Sequence, residues 1–302
     1  MTWGDVSEDK AREILRAAYD SGVTFFDTAD VYGDGRSERL VGEFVGSLKD
    51  ARVRVATKVG RRGIYPDGIS RQSLTEAVEG CLQRLGVECL DLVQLHCIPT
   101  EMLRDGEVFD WMAGIQADGK ISQYGASVES LEEAHFCLRD PGVASLQIIF
   151  NLFRQHAVTA LFPAAAKAQV AIIVRLPLAS GLLSGKMTRE TKFSEGDHRH
   201  FNRDGAAFNV GETFSGLEFG KGIELVEELR GMLPPDIPMA VAAQRWILDQ
   251  PEVTTMITGA TSPGQAAANA AVSDVARLSA DLHKRLGEFA TSRVHPWIRG
   301  PV

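Results

Sequence analysis

Short apolar, β-branched or aromatic runs recur along the chain at 23–27, 53–57, 90–95, 121–126, 145–149, 171–176 and 253–258. Between nearly all of them the hydrophobic positions switch to three- and four-residue spacing, the signature of a helix that buries one face. The clearest case follows Ser70. There Leu74, Ala77, Val78, Cys81, Leu82 and Leu85 fall on one stripe, Ser73 and Glu76 offer a capping box, and Gly86 suits the C′ position. Further helical patterns cover about 8–20, 36–48, 107–118, 130–138, 156–168, 221–232, 239–249, 263–271 and 279–291. Strand and helix in alternation predict a parallel sheet covered by helices, either doubly wound or closed into a barrel.

Polar residues choose between the two. The runs end on Asp27, Lys58, His96, Ser127, Gln147 with Asn151, Arg175, and Gly259 with Thr261. In a TIM-type (β/α)8 barrel such strand ends converge on one site, whereas in an open sheet they are strung along an edge. The barrel accounts for the whole series. Only seven runs are legible, and the chain opens on a helix where the first strand belongs. The expected fold is therefore a (β/α)8 barrel of parallel strands with the first strand missing from this chain. The stretch 186–220 is polar, glycine-bearing and aperiodic, which predicts either a functional lid or disorder.

Composition narrows the function classes. At 302 residues, 44% hydrophobic and 24% charged, the chain is ordinary globular material. A formal charge of −8 argues against a nucleic-acid partner, which needs a clustered basic surface. The N-terminus has no basic and apolar leader pattern, and no apolar stretch approaches ~20 residues, so neither secretion nor a membrane span is expected and the cytoplasm is the expected location. Cys81, Cys89, Cys97 and Cys137 sit in apolar periodic stretches without C-x-x-C spacing, and read as buried reduced thiols.

The strand-end residues carry the chemistry. Asp27 and Tyr32 flank the point where Gly22-Val-Thr-Phe-Phe-Asp27 breaks into a glycine-rich turn. Each has a structural explanation when taken alone, a turn aspartate and a half-buried tyrosine. Lys58 closes Arg-Val-Arg-Val-Ala-Thr, where an ammonium needs a carboxylate, and Asp27 is the candidate. His96 ends Leu-Asp-Leu-Val-Gln-Leu, where a core histidine is the structural alternative. Together they form a proton-donating set. Lys58 is expected to lower the Tyr32 pKa, Asp27 to hold the ammonium charged, and neutral His96 to orient a substrate oxygen.

Phe-Phe-Asp-Thr-Ala followed by Tyr-Gly, the strand-end lysine and Gln-Leu-His resemble the signatures of the aldo-keto reductases, nicotinamide-dependent enzymes that reduce aldehydes and ketones on a (β/α)8 barrel. The similarity runs from about Gly4 to about residue 272. It implies that 1–302 is a single barrel domain with a long loop at 186–220 and a C-terminal helix and tail at 279–302. It also implies catalytic roles for Asp27, Tyr32, Lys58 and His96, a small carbonyl substrate, and NADP(H) or NAD(H) as cofactor. The family also includes members that act mainly in protein complexes. A nicotinamide-binding regulatory or sensor subunit is therefore the alternative reading, and an inactive open barrel a third.

The same resemblance supplies cofactor positions. Ser127 and Gln147 match residues that hold the nicotinamide carboxamide. Leu178, Ser180, Gly181, Leu183, Gly185 and Lys186 belong to the segment that wraps the pyrophosphate. Gly259, Thr261, Gln265 and Asn269 match the loop and helix around the adenosine phosphate. Arg175 stands where the family usually stacks an aromatic ring on the nicotinamide, so it is expected either to stack there or to turn toward a carboxylate. No Lys or Arg occupies the 2′-phosphate positions, which leaves the choice between NADP and NAD open, and Val128 replaces a common Asn. The family's first strand, with its Gly-Thr-Trp-like segment, is absent, so Met1 is expected to lie inside a longer reading frame. His198 and His200 lie in the long polar loop and are read as loop residues, with no metal expected. Arg199 and Arg203 belong either to a solvated lid or over cofactor phosphates.

Overall fold

The computed structural model describes residues 6–302. Seven parallel strands follow one another in sequence order across one sheet. They are β1 (Phe25–Asp27), β2 (Arg54–Val59), β3 (Leu90–His96), β4 (Ile121–Ser127), β5 (Val143–Ile149), β6 (Ala171–Arg175) and β7 (Val253–Met256). All seven expected runs form strands. Parallel strands covered by helices are buried on both faces, which is why β5 and β6 read as nearly unbroken apolar stretches. In-register pairing sets His96 beside Ser127 and Ile149 beside Arg175, so the polar ends of successive strands stay level.

The sheet is curled. Gln147 on β5 donates a hydrogen bond of 2.8 Å to Asp27 on β1. In a flat sheet those strands lie roughly 19 Å apart, beyond the reach of the two side chains. The hollow so formed holds a polar layer in which Gln94 donates to Ser145 (3.3 Å) and Gln147 to Gln94 (2.9 Å). On the outside, the helix Glu8–Asp20 before β1 packs against Pro263–Ala270 after β7, drawing the two ends of the sheet together. Among the described residues no strand pairs with the outer edge of β1 or β7. The missing first strand concerns the chain's start, where residues 1–5 lie outside the described residues.

Two expectations change: Cys89, read as a buried thiol, is exposed, and a capping box moves. The capping box of the helix Arg71–Leu85 is formed by Ser70 and Ser73, one turn earlier than Ser73 and Glu76. Ser70 takes the extended N-cap conformation and its hydroxyl accepts the Ser73 N–H, which draws the helix start forward. Gly86 ends that helix in the left-handed region, as its place predicts. The stretch 186–220 is not disordered. It contains a short helix, His198–Phe201, and two 3₁₀ turns, and it buries Asn202, Thr213, Phe214 and Ser215. Its order comes from side chains that satisfy its backbone, as when Asn202 Oδ1 accepts the N–H groups of Ala207 and Phe208 at 2.9 Å each.

One glycine fixes how two covering helices meet. A Cβ on Gly42 would lie 2.3 Å from the Leu85 carbonyl oxygen and 2.7 Å from its Cα. Backbone cannot swing away as a flexible side chain can. Gly42→Ala is expected to cost about 1–3 kcal/mol through overpacking, read as a lower urea midpoint. An unchanged midpoint would show that the helices do not approach this closely in solution.

Candidate active site

Lys58 is fully buried, so every proton of its ammonium needs a partner. Its Nζ donates to Asp27 Oδ2, to the Thr28 carbonyl at 2.8 Å and to the Tyr32 hydroxyl at 3.4 Å. Three donors thus meet three acceptors. Tyr32 is presented by a tight turn closed by Thr28 Oγ1 donating to Ser37 Oγ (2.8 Å) and the Ser37 N–H donating to the Tyr32 carbonyl (3.2 Å). Gly33 and Gly35 supply φ values of +60° and +82°, which the turn requires. The His96 ring stands edge-on to Tyr32, with centroids 6.0 Å apart. Its buried Nδ1 has no partner among the described residues. The backbone behind it is held by Arg61, whose Nε donates to the His96 carbonyl at 3.0 Å.

Burial dominates the electrostatics. Desolvation raises the Tyr32 pKa above the usual 10, and Lys58 offsets only part of that rise. Lys58 lowers the pKa as expected, but desolvation of the phenol is the larger effect and the net direction is upward. Desolvation pulls Lys58 down, but Asp27 and Tyr32 outweigh it and hold the ammonium charged. His96 falls well below 6.5 through burial, reinforced by Lys58, Arg61 and Arg175, and stands as neutral imidazole. The site therefore holds a neutral phenol and a neutral imidazole beside a charged lysine–aspartate pair.

Of the residues expected to hold a cofactor, Ser127 and Gln147 join this network. Gln147 bonds Asp27 and Gln94, and Ser127 donates to Gln147 Oε1 at 3.5 Å. Arg175 takes the second of its two expected courses and turns toward a carboxylate. Its NH1 bonds both oxygens of Glu212 and its NH2 donates to the Val128 carbonyl at 2.7 Å. Ala179, Ser180 and Gly181 all have positive φ (47°, 56° and 97°), a run that folds the segment after β6 back on itself. Within it Ser180 Oγ donates to the Glu212 carbonyl and accepts the Phe214 N–H, both at 3.1 Å, so its hydroxyl is committed to the long loop. Leu183 is core, Gly185 has φ +68°, Lys186 is exposed and Leu178 is half-buried. After β7, Gln265 accepts from the Thr261 N–H (2.7 Å) and hydroxyl (2.9 Å), while Asn269 donates to the Gly259 carbonyl (3.3 Å). In the long loop Arg199 pairs with Asp197 and lies over Phe193.

Glu212 is the residue that sequence reasoning missed. The only signal for it was that Arg175 wanted a carboxylate, and an aperiodic loop gives no hint of which acid returns to the site. Cys97, Glu129 and Glu212 place potential metal-binding atoms within 4.8 Å of one another. Arginines already occupy both acids, Arg61 on Glu129 and Arg175 on Glu212.

Comparison with known proteins bears on the whole chain. The model of the aldo/keto reductase family matches residues 1–290. An aldo-keto reductase of Bacillus subtilis (strain 168) is 31% identical over 269 residues, covering 87% of this chain and 78% of that protein. A probable voltage-gated potassium channel subunit beta of Oryza sativa subsp. japonica is 27% identical, over 90% of this chain and 83% of that one. The solved glycerol dehydrogenase of Gluconobacter oxydans superposes with a TM-score of 0.76 at 28% identity, covering 99% of this chain and 90% of that one.

Proposed function

The chain belongs to the aldo/keto reductase family of oxidoreductases, and on that premise we propose that it is a cytoplasmic enzyme reducing a small aldehyde or ketone with NADPH or NADH. The observation that carries the proposal is the buried ammonium of Lys58, shared between Asp27 and the Tyr32 hydroxyl, with the His96 ring edge-on to Tyr32. The seven-stranded curled sheet is read as the larger part of a (β/α)8 barrel whose strand ends face this site. No helix among the described residues is long and apolar enough to cross a membrane.

The residues present fit a dinucleotide. The backbone turn of Ala179–Gly181, at positive φ throughout, follows the end of β6 at Arg175 after three intervening residues. Ser262 caps the helix Pro263–Ala270, whose N-terminus suits an adenosine phosphate. Ser127 offers a hydroxyl and Gln147 its carbonyl oxygen for a carboxamide, both amide protons of Gln147 being held by Asp27 and Gln94. The chemistry that a reduced nicotinamide would supply, when held there, is hydride transfer to the carbonyl carbon. Tyr32 donates the proton to the developing alkoxide, and Lys58 stabilises the phenolate left behind. Asp27 keeps Lys58 charged during the transfer. His96, neutral, orients the carbonyl oxygen with the accessible edge of its ring.

The electrostatics set a pH profile. Tyr32 must be protonated to act, and its raised pKa keeps it so to above pH 10. His96 must stay neutral, and its depressed pKa removes the usual inflection near 6.5. The kcat for reduction is expected to be flat from about pH 6.5 upward and to fall only on a strongly alkaline limb. A clear inflection between pH 6 and 7 would contradict the assigned role of His96.

The activity itself is tested by mixing the purified protein with a panel of aldehydes and either reduced nicotinamide and following the nicotinamide absorbance. Loss of absorbance with at least one carbonyl supports the proposal. Cofactor binding without turnover on any carbonyl would overturn it. The channel-subunit relative favours one second reading, a nicotinamide-binding regulatory subunit, which predicts negligible turnover and a copurifying partner.

A further inference from the structure

Arg175 ends β6 next to the reacting groups. Its NH2 bonds the carbonyl of Val128, the residue after Ser127, and Ser127 pairs in register with His96. Its NH1 carries the carboxylate of Glu212, one oxygen of which lies within 4.8 Å of the sulfur of Cys97, directly after His96 in the chain. The guanidinium is 8% exposed on a whole-residue basis, and its Nε has no partner among the described residues. A full positive charge is thus fixed beside Tyr32 and His96, and one acid from the long loop neutralises it. Arg154 lies close enough to feel that acid as well, and Lys58 and Arg61 add further positive charge around His96. Asp27 balances Lys58 and Glu129 balances Arg61, so the charge that loss of Glu212 would uncover is that of Arg175, with Arg154 beside it.

That balance matters to a nicotinamide. The ring is neutral when reduced and carries a formal positive charge when oxidised. To pass hydride to a carbonyl held by Tyr32 and His96 it must lie within reach of both, hence in the field of Arg175. We propose that Glu212 is the charge-balancing residue of the site, neutralising Arg175 so that the protein binds the oxidised as well as the reduced form of the nicotinamide. The proposal rests on the reductase reading above. It also gives the long loop a task, since Ser180, in the segment after β6, bonds the backbone of Glu212 and Phe214 and ties the loop to that segment.

The test is equilibrium titration of the full-length protein with oxidised and with reduced NADP and NAD, followed by protein fluorescence. In Glu212→Gln the ratio of oxidised to reduced Kd is expected to rise about tenfold or more, since a repulsion between unit charges a few ångströms apart is unmasked. Arg175→Gln leaves an uncompensated acid, and the ratio is expected to move the other way. The double variant returns it close to wild type. Shifts of opposite sign, restored in the double, are not what loosened packing produces, and Arg175→Gln carries the test alone if Glu212→Gln does not fold. Unchanged ratios, or shifts of the same sign, would overturn the inference while leaving the reductase reading intact. Failure of the wild-type protein to bind either form would overturn both.

Discussion

Tyr32→Phe is expected to lower kcat for carbonyl reduction by roughly 10²–10⁴-fold, the range that a positioned general acid contributes. Reduced nicotinamide should bind almost as before, because the phenol ring remains and only its hydroxyl is lost. That hydroxyl makes one long bond, 3.4 Å from Lys58 Nζ, so its removal leaves the ammonium still bound to Asp27 and Thr28. Stability should change by less than about 1 kcal/mol, the net value of an ordinary hydrogen bond. The expected signature is lost turnover in a folded, cofactor-binding protein. Comparable turnover by Tyr32→Phe would remove the phenol from the mechanism.

Lys58→Met is expected to damage both fold and function. Asp27 and Lys58 have side chains only 6% and 1% exposed, and removing the lysine strands a carboxylate whose other partner is the amide of Gln147. Breaking a buried pair on one side costs about 3–5 kcal/mol, a fall in Tm of roughly 5–10 °C for a chain of this size. Turnover should fall as well, because nothing remains to stabilise the Tyr32 phenolate. The double variant Asp27→Asn with Lys58→Met separates the two effects. Deleting both charges should recover most of the stability and none of the activity. A Lys58→Met protein that melts with wild type would mean the pair is not buried in solution.

The strands were legible because parallel strands are apolar on both faces, so each run announces itself without knowledge of its neighbours. The polar residue closing each run was legible too, since Lys58 follows Val-Ala-Thr and His96 closes Leu-Asp-Leu-Val-Gln-Leu. Long-range consequences were hidden. The bond from Gln147 to Asp27 joins residues 120 apart, and only the curl of the sheet makes them neighbours. The direction of the Tyr32 shift depended on burial, which the five-residue spacing from Asp27 does not encode. Glu212 was invisible because its contact with Arg175 depends on the path of a loop held by irregular bonds such as Asn202 to Thr213. The capping box moved by one turn because Ser70, Ser73 and Glu76 all carry capping side chains, and the backbone at Ser70 decided between them.

Transfer of deuterium tests the central claim most directly. The wild-type protein is incubated with an aldehyde and reduced nicotinamide carrying deuterium at both C4 positions, and the alcohol is analysed by mass spectrometry, with Tyr32→Phe in parallel. The account predicts an alcohol carrying a single deuterium on the former carbonyl carbon, formed by the wild type and almost absent with Tyr32→Phe. An unlabelled alcohol, or as much labelled alcohol from Tyr32→Phe as from the wild type, would contradict it.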